Sequence, residues 1–158
     1  MNNPSPKQYF PWILLTETVG FLSGWITRTG TAAFQASAIQ PPFSPPGWVF
    51  PIVWPVLYAL MGIGAARIYA MPASPDRGNG LNLFITQLIL NFFWSPIFFN
   101  AKAYGIASLW LILLIASVIA MILSFRKADL LSAKLQLPYL VWLFFAAYLN
   151  FGVWYLNR

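Results

Sequence analysis

The sequence predicts an all-α membrane protein, and three observations lead to that fold class. Hydrophobic residues make up 59% of the 158 residues and charged residues only 8%, and the mean hydropathy is +0.68. The apolar runs reach about 20 residues, the length that a helix needs to cross a membrane. Their polar and aromatic residues recur at helical spacing, whereas the strands of a membrane barrel are shorter and alternate.

Five apolar runs predict a single transmembrane domain over residues 1–158, built as a five-helix bundle. The predicted spans are 9–26, 49–66, 81–99, 104–125 and 135–156. The longest connection, residues 27–47, ends in the stiff segment QPPFSPPG and is predicted to be a lid over one end of the bundle. Its alanine-rich stretch AAFQASAIQ predicts a short helix before the prolines. We assign Arg28, Phe34 and Gln35 to this lid.

Polar and aromatic side chains form stripes on the second, third and fifth spans. The residues recur every three or four positions, as on one face of a helix. Three such faces predict one cavity beneath the lid, with ring faces for a flat ligand and amides to orient it. Arg28 is predicted to lie at the rim, where it would meet an acidic substituent. The predicted ligand-binding residues are Phe43, Phe50, Trp54, Tyr58, Gln87, Asn91, Trp94, Trp142, Ala146 and Asn150.

The same residues have structural alternatives. Tryptophan and tyrosine near the ends of spans are often interfacial belt residues, and buried amides often join helices by hydrogen bonds. Proline within a membrane helix often marks only a kink. Gly20 and Gly24 form a GxxxG pair, which predicts close packing inside the bundle or, as the alternative, a dimer seam. Glu17, the acid inside a predicted span, is a functional candidate or a hydrogen-bonded packing residue.

The composition excludes several kinds of chemistry. The chain has no histidine and no cysteine and only three acidic residues, so no catalytic triad, zinc site or two-metal site can be assembled. We therefore predict no metal site, no catalytic residues and no resident cofactor, and a bound tetrapyrrole would be metal-free. The net charge of +6 comes from basic residues scattered singly at span ends, which indicates membrane anchoring and no nucleic-acid binding.

The chain resembles the translocator protein family, also known as tryptophan-rich sensory proteins or peripheral-type benzodiazepine receptors. The resemblance rests on ordered matches in three segments. The segments are PPGWVFPIVWPVLYALMG, QLILNFFWSPIFF and LPYLVWLFFAAYLN, and the resemblance extends from Gly20 to Trp154. It implies a five-helix bundle, commonly a homodimer, with a pocket under the first loop. The ligands it implies are porphyrins such as protoporphyrin IX and synthetic benzodiazepine-type or isoquinoline compounds.

The chain departs from the family pattern in the lid and near its C-terminus. Phe34 and Gln35 stand where the family has a Trp-Tyr pair, and Phe43 stands where it has tryptophan. Phenylalanine is a poorer electron donor, so the light-driven porphyrin breakdown attributed to some members is less expected here than binding. The family's proposed sterol motif is also altered, with Phe151 in place of its tyrosine, so sterol is a weak ligand candidate.

Three functional hypotheses follow. The first is a membrane receptor or carrier that binds tetrapyrroles, with a regulatory or transport role. The second is an enzyme that degrades porphyrin in light, and the third is a dimeric membrane scaffold that binds sterol or no ligand. The predicted location is a bacterial inner membrane, because no Arg-rich amphipathic segment precedes the first span, and the outer mitochondrial membrane is the alternative.

Overall fold

A computed structural model describes residues 5–158, and all the regular structure in that range is helical. Residues 1–4 of the predicted domain lie outside the described residues. Two short irregular turns accompany the helices, a 3₁₀ turn at Gly47–Val49 and a π-helical turn at Pro96–Asn100. The helices are α1 (Pro6–Ser37), α2 (Phe50–Tyr69), α3 (Pro75–Ser95), α4 (Tyr104–Ala128), α5 (Leu130–Leu135) and α6 (Leu137–Leu156).

Four helical segments in the described range are long and apolar enough to cross a membrane. They contain α2, α3, α4 and α6, and they agree with the second to fifth predicted spans. The long helix α1 carries Glu17 and Arg28 and is less apolar, so its role as a fifth span stays a prediction. The segments are Gly47–Tyr69, Pro75–Asn100, Tyr104–Ala128 and Leu130–Leu156.

The first helix is longer than the sequence predicted. We expected a span at 9–26 and a lid loop at 27–47 containing a separate short helix, but α1 continues without a break to Ser37. The polar residues after Ile26 are compatible with a helix, and Ala32, Ala33 and Ala36 favour one. The helix ends only where the chain approaches Pro41 and Pro42, since proline cannot continue the backbone ladder. The connection is therefore residues 38–46.

Small residues allow α1 to pack closely against α2. A Cβ atom at Gly20 would collide with the Tyr58 ring, and one at Gly62 would collide with the backbone of Ile13. At Gly24 a Cβ would meet nothing. Only the first glycine of the predicted GxxxG pair is therefore used inside the bundle, and the second faces outward.

Helix α3 ends in a π-helical turn that begins at Pro96. Proline has no backbone N–H, so the carbonyl of Phe92 loses its usual partner four residues later. The Ser23 hydroxyl of α1 donates a hydrogen bond to that carbonyl at 3.1 Å. The ladder resumes with the wider spacing of a π turn, in which the Ala101 N–H donates to the Pro96 carbonyl at 3.0 Å. Helix α1 thus supplies the hydrogen bond that the Phe92 carbonyl loses because of the proline.

An ion pair fixes the short helix α5 to α2. Arg67 donates to both carboxylate oxygens of Asp129, from Nε at 2.7 Å and from Nη2 at 3.1 Å. Asp129 also accepts from the backbone N–H and hydroxyl of Ser132, so it caps α5 as well. The Arg67 guanidinium and, to a smaller extent, the Ser132 donors lower the pKa of the Asp129 carboxyl to about 2.

We predict that Asp129→Asn lowers stability by about 2 kcal/mol, because it removes a charge-assisted pair from a buried position. The stabilisation from this carboxylate is complete above its unfolded pKa near 3.8 and is lost as the pH falls toward about 2. The apparent Tm of the unmodified protein in detergent should therefore fall over that interval more steeply than the Tm of the variant. Lys134→Gln on the exposed side of α5 is the control, and an equal loss in both variants would contradict the assignment.

Candidate functional site

A chain of hydrogen bonds joins α2, α3 and α6 in the centre of the bundle. The Tyr58 hydroxyl donates to Asn91 Oδ1 at 2.6 Å, and Asn91 Nδ2 donates to the Tyr139 hydroxyl at 2.9 Å. All three residues are buried. We call this the Tyr58–Asn91–Tyr139 link. Both the oxygen and the nitrogen of the Asn91 side-chain amide are therefore hydrogen-bonded within the protein.

A second polar link lies toward the C-terminal end of α6. Trp94 Nε1 donates to Asn150 Oδ1 at 3.0 Å, and Asn150 Nδ2 donates to the Ser108 hydroxyl at 2.7 Å and to the Tyr104 carbonyl at 3.1 Å. Asn150 is buried, whereas Trp94 is half-buried. This link joins α3, α4 and α6. For Asn91 and Asn150 the structure therefore shows the interhelical bonding that we considered as the alternative to ligand contact.

Gln87 differs from these two amides. Its side chain is fully buried, and its Nε2 lies 3.8 Å from the Met61 sulfur, which is a weak acceptor. Its Oε1 has no hydrogen-bond partner among the described residues. Gln87 thus retains hydrogen-bonding capacity that the asparagines have already used.

Aromatic rings fill the space between α2 and α6. The Trp142 ring lies 5.9 Å from Phe50 and 6.5 Å from Trp54, both in edge-to-face arrangements. Trp54 also contacts Tyr58 at 5.4 Å and Tyr139 at 6.3 Å. We call these five residues the α2/α6 aromatic cluster. The Phe50, Trp54 and Trp142 side chains are only half-buried, so part of their ring surface remains accessible.

A second group of rings lies where α1 meets the π-helical turn. Trp94 stacks on Phe98 with ring centroids 5.0 Å apart, and Phe34 packs against Phe98 at 5.3 Å and Phe99 at 5.4 Å. Phe34, predicted as a lid residue, is therefore part of the packed bundle end. Trp94 connects this group to the Asn150 link.

The structure does not bring every predicted site residue into these clusters. Phe43 has a positive φ of 62° and is 88% exposed. The Arg28 guanidinium lies over the exposed Trp25 ring at 4.3 Å from its centroid and donates to the Trp25 carbonyl. Gln35 is exposed and approaches Gly47, and Ala146 is half-buried against the core.

Sequence reasoning missed the residues that fasten the connection 38–46 to α6. Asn157 accepts from the Ile39 N–H at 2.9 Å and donates to the Ile39 carbonyl at 2.8 Å. The Tyr148 hydroxyl donates to the Pro42 carbonyl at 2.8 Å. Such partners are separated by more than one hundred positions, and a single polar side chain near the end of a helix gives no signal of them.

The described residues contain no group of histidine, cysteine or acidic side chains that could hold a metal ion. The accessible chemistry of the clusters is that of aromatic faces and amide edges. Such a surface suits a flat, largely apolar ligand, because ring stacking needs area and few polar contacts.

The chain is similar to known proteins along most of its length. Residues 12–156 match the sequence profile of the TspO/MBR family. The chain is 38% identical to protein CrtK of Rhodobacter capsulatus over 126 residues, 79% of each chain. It is 34% identical to the translocator protein of Ovis aries over 94% of this chain and 92% of that protein. It is also 35% identical to the tryptophan-rich sensory protein of Cereibacter sphaeroides over 75% of this chain and 73% of that protein.

The Tyr58–Asn91–Tyr139 link leads to a prediction about stability. Asn91→Leu leaves two buried tyrosine hydroxyls without a partner, which should cost about 1–3 kcal/mol. The triple variant Tyr58→Phe, Asn91→Leu, Tyr139→Phe removes the unpaired groups together and should be more stable than Asn91→Leu alone. Thermal unfolding in detergent measures both. A triple variant that is less stable than the single one would show that the link is not a closed polar unit.

Proposed function

Because the chain belongs to the TspO/MBR family, we propose that it is a membrane receptor or carrier for tetrapyrroles of the protoporphyrin IX kind. The proposed ligand stacks on the α2/α6 aromatic cluster, beneath the connection 38–46. We include α1 as the first of five membrane spans in this proposal. The proposed location is a bacterial inner membrane, as the sequence predicts.

The observation that carries the proposal is the way in which α2 and α6 face each other. Their backbones approach at far fewer positions than those of α3 and α4, and aromatic side chains occupy the space between them. Half-buried rings held at a helix interface can separate to admit a flat ring without disrupting a backbone contact. A porphyrin offers the matching area of π surface.

The amides have a supporting role in this arrangement. Asn91 fixes Tyr58 and Tyr139, and these tyrosines contact Trp54, so the amide sets the positions of the stacking rings. Gln87 Oε1 is the unused acceptor nearest in sequence to Asn91, one helical turn away on α3. We assign to the Gln87 amide, whose Nε2 has only the weak Met61 contact, a hydrogen bond to a carboxylate at the edge of the ligand.

The connection 38–46 supports the proposed position of the entrance. Pro41 packs so closely on Gly152 that a Cβ there would collide with the proline ring. Phe50 lies at the start of α2, a few residues after Pro46, so the connection leads directly into the cluster. Phe43, exposed within this connection, is available to cover a ligand.

We propose that the protein forms a homodimer. Gly24 lies in open space on the outer side of α1, where Phe21 and Trp25 are exposed and stack on each other. Small residues on such a face allow a second helix to approach. Synthetic benzodiazepine-type or isoquinoline ligands would use the same aromatic cluster, and sterol remains a weak candidate.

Light-driven porphyrin breakdown is the second candidate function, and the proximity of Trp54 to Trp142 favours it. Two indoles with centroids 6.5 Å apart could supply electrons to an excited ligand. This activity predicts a new bilin-like absorbance on illumination, and the absorbance should be lost when both tryptophans are changed to phenylalanine.

We predict that Trp142→Ala weakens protoporphyrin IX binding about tenfold, because it removes a stacking ring and its edge contacts. The measurement is a dark titration of the protein in detergent that follows tryptophan quenching and porphyrin absorbance together. The sample is then illuminated, and an unchanged porphyrin spectrum supports a receptor or carrier over an enzyme.

The matched control is Trp154→Ala, on the same helix but outside the cluster, which should bind porphyrin as the unmodified protein does. If quenching rises linearly with porphyrin in all variants, the ligand is partitioning into micelles. That result would reject the tetrapyrrole site and leave the scaffold hypothesis in its place.

A further inference from the structure

A groove of about 530 Å³ lies between α3 and α4, near the end of the bundle where α3 begins and α4 ends. The residues that line it include Asp76, Asn79, Asn82, Leu83, Leu123 and Lys127. We call it the lateral groove. It shares no residue with the α2/α6 aromatic cluster, and the proposed function makes no use of it.

The lining of the lateral groove changes from charged to apolar along the helices. Asp76 stands in the first turn of α3 and Lys127 in the last turn of α4, while Leu83 and Leu123 lie further into the spans. At 1.5 Å per residue, Asp76 and Leu83 are about 10 Å apart along the axis. The charged end therefore falls at the level of lipid headgroups, and the apolar end reaches the hydrocarbon.

The Ser124 and Thr86 hydroxyls in the lateral groove donate to the Asp76 and Asn82 carbonyls. Its charged and amide side chains, in contrast, bind no protein partner within the described residues. Among residues 5–158, the ion pair present joins Arg67 to Asp129, and neither Asp76 nor Lys127 forms one. No side-chain hydrogen bond to the amides of Asn79 or Asn82 occurs within the described range. The cation adjacent to Asp76 in sequence, Arg77, turns away and donates to the Tyr69 carbonyl at 3.2 Å.

An exposed amide on a membrane-spanning helix is unfavourable unless it meets a polar group. Asn82 lies about 9 Å along the axis from Asp76, which places it below the charged end of the groove. At that depth the polar atoms of the bilayer itself are the phosphate and ester oxygens of its lipids. Both are acceptors for an amide N–H.

We propose that the lateral groove binds a phospholipid whose headgroup carries both a phosphate and a primary ammonium. Lys127 binds the phosphate, and Asp76 accepts hydrogen bonds from the ammonium. The Asn79 and Asn82 amides donate to phosphate and ester oxygens, and an acyl chain lies along Leu83 and Leu123.

The charges of the groove favour this lipid over others. An anionic headgroup without an ammonium would satisfy Lys127 and place its charge near Asp76. A choline headgroup has the right charges but no N–H to donate to the carboxylate. The net charge of +6 attracts anionic lipids to the protein as a whole, so a preference for a zwitterionic lipid would identify the groove.

The test is native mass spectrometry of the full-length protein in detergent, titrated in turn with phosphatidylethanolamine, phosphatidylcholine and phosphatidylglycerol. Phosphatidylethanolamine should be retained most strongly. Asp76→Asn should reduce its preference over phosphatidylglycerol about fivefold, and Lys127→Gln should weaken all three lipids about fivefold. Asn82→Leu should weaken retention without changing the order of the lipids.

Arg126→Gln is the matched control, because Arg126 is an exposed neighbour of Lys127 that does not line the groove. Equal losses from Arg126→Gln and Lys127→Gln would overturn the proposal in favour of general surface charge. Competition by glycerophosphoethanolamine as strong as that by the whole lipid would overturn the role of the acyl chain. An unchanged lipid preference in Asp76→Asn, in a protein with normal Tm, would overturn the role of the carboxylate.

Discussion

Asn91 holds three helices together, and the arrangement of the tryptophans depends on it. An unpaired hydroxyl or amide in an apolar bundle costs free energy, so the two tyrosines and the asparagine must remain in contact. That requirement sets how α2, α3 and α6 are rotated about their axes. The positions of Trp54 and Trp142 are set in the same way, because Trp54 lies one helical turn from Tyr58 and Trp142 lies one helical turn from Tyr139. Gly20 completes the arrangement, because only a residue without a side chain allows α1 to rest on the Tyr58 ring.

Much of the fold could be predicted from the sequence, since apolar length and helical period are local properties. Spans two to five agree with segments that the structure shows to be long and apolar enough for a membrane. The end of α1 could not be placed correctly, because the polar residues after Ile26 reduce hydropathy without stopping a helix. Proline stops it only near residue 41. The partners of the asparagines were also beyond prediction: Ser108 is a small residue among many, and only the packing of α4 against α6 shows that it receives the Asn150 amide.

The two interpretations of the polar stripes, ligand contact and helix joining, separate residue by residue in the structure. Asn91 and Asn150 have both ends of their amides occupied, so a ligand would have to compete with bonds that hold the bundle together. Gln87 has a free acceptor and only a weak contact to the Met61 sulfur. Replacing that contact would cost little, because sulfur is a poor hydrogen-bond acceptor. A polar ligand edge that reaches the middle of α3 would therefore be held by Gln87 at a smaller cost to stability.

The connection 38–46 is held less firmly than the centre of the bundle. Its hydrogen bonds run to Tyr148 on α6 and to Asn157 just after α6, and all of them lie at exposed positions, where water can replace a lost partner. The bonds of the Tyr58–Asn91–Tyr139 link are buried, and water cannot replace them. Opening the connection therefore costs far less than separating the helices. The helices can therefore keep their positions if the connection moves, and its prolines keep that segment stiff.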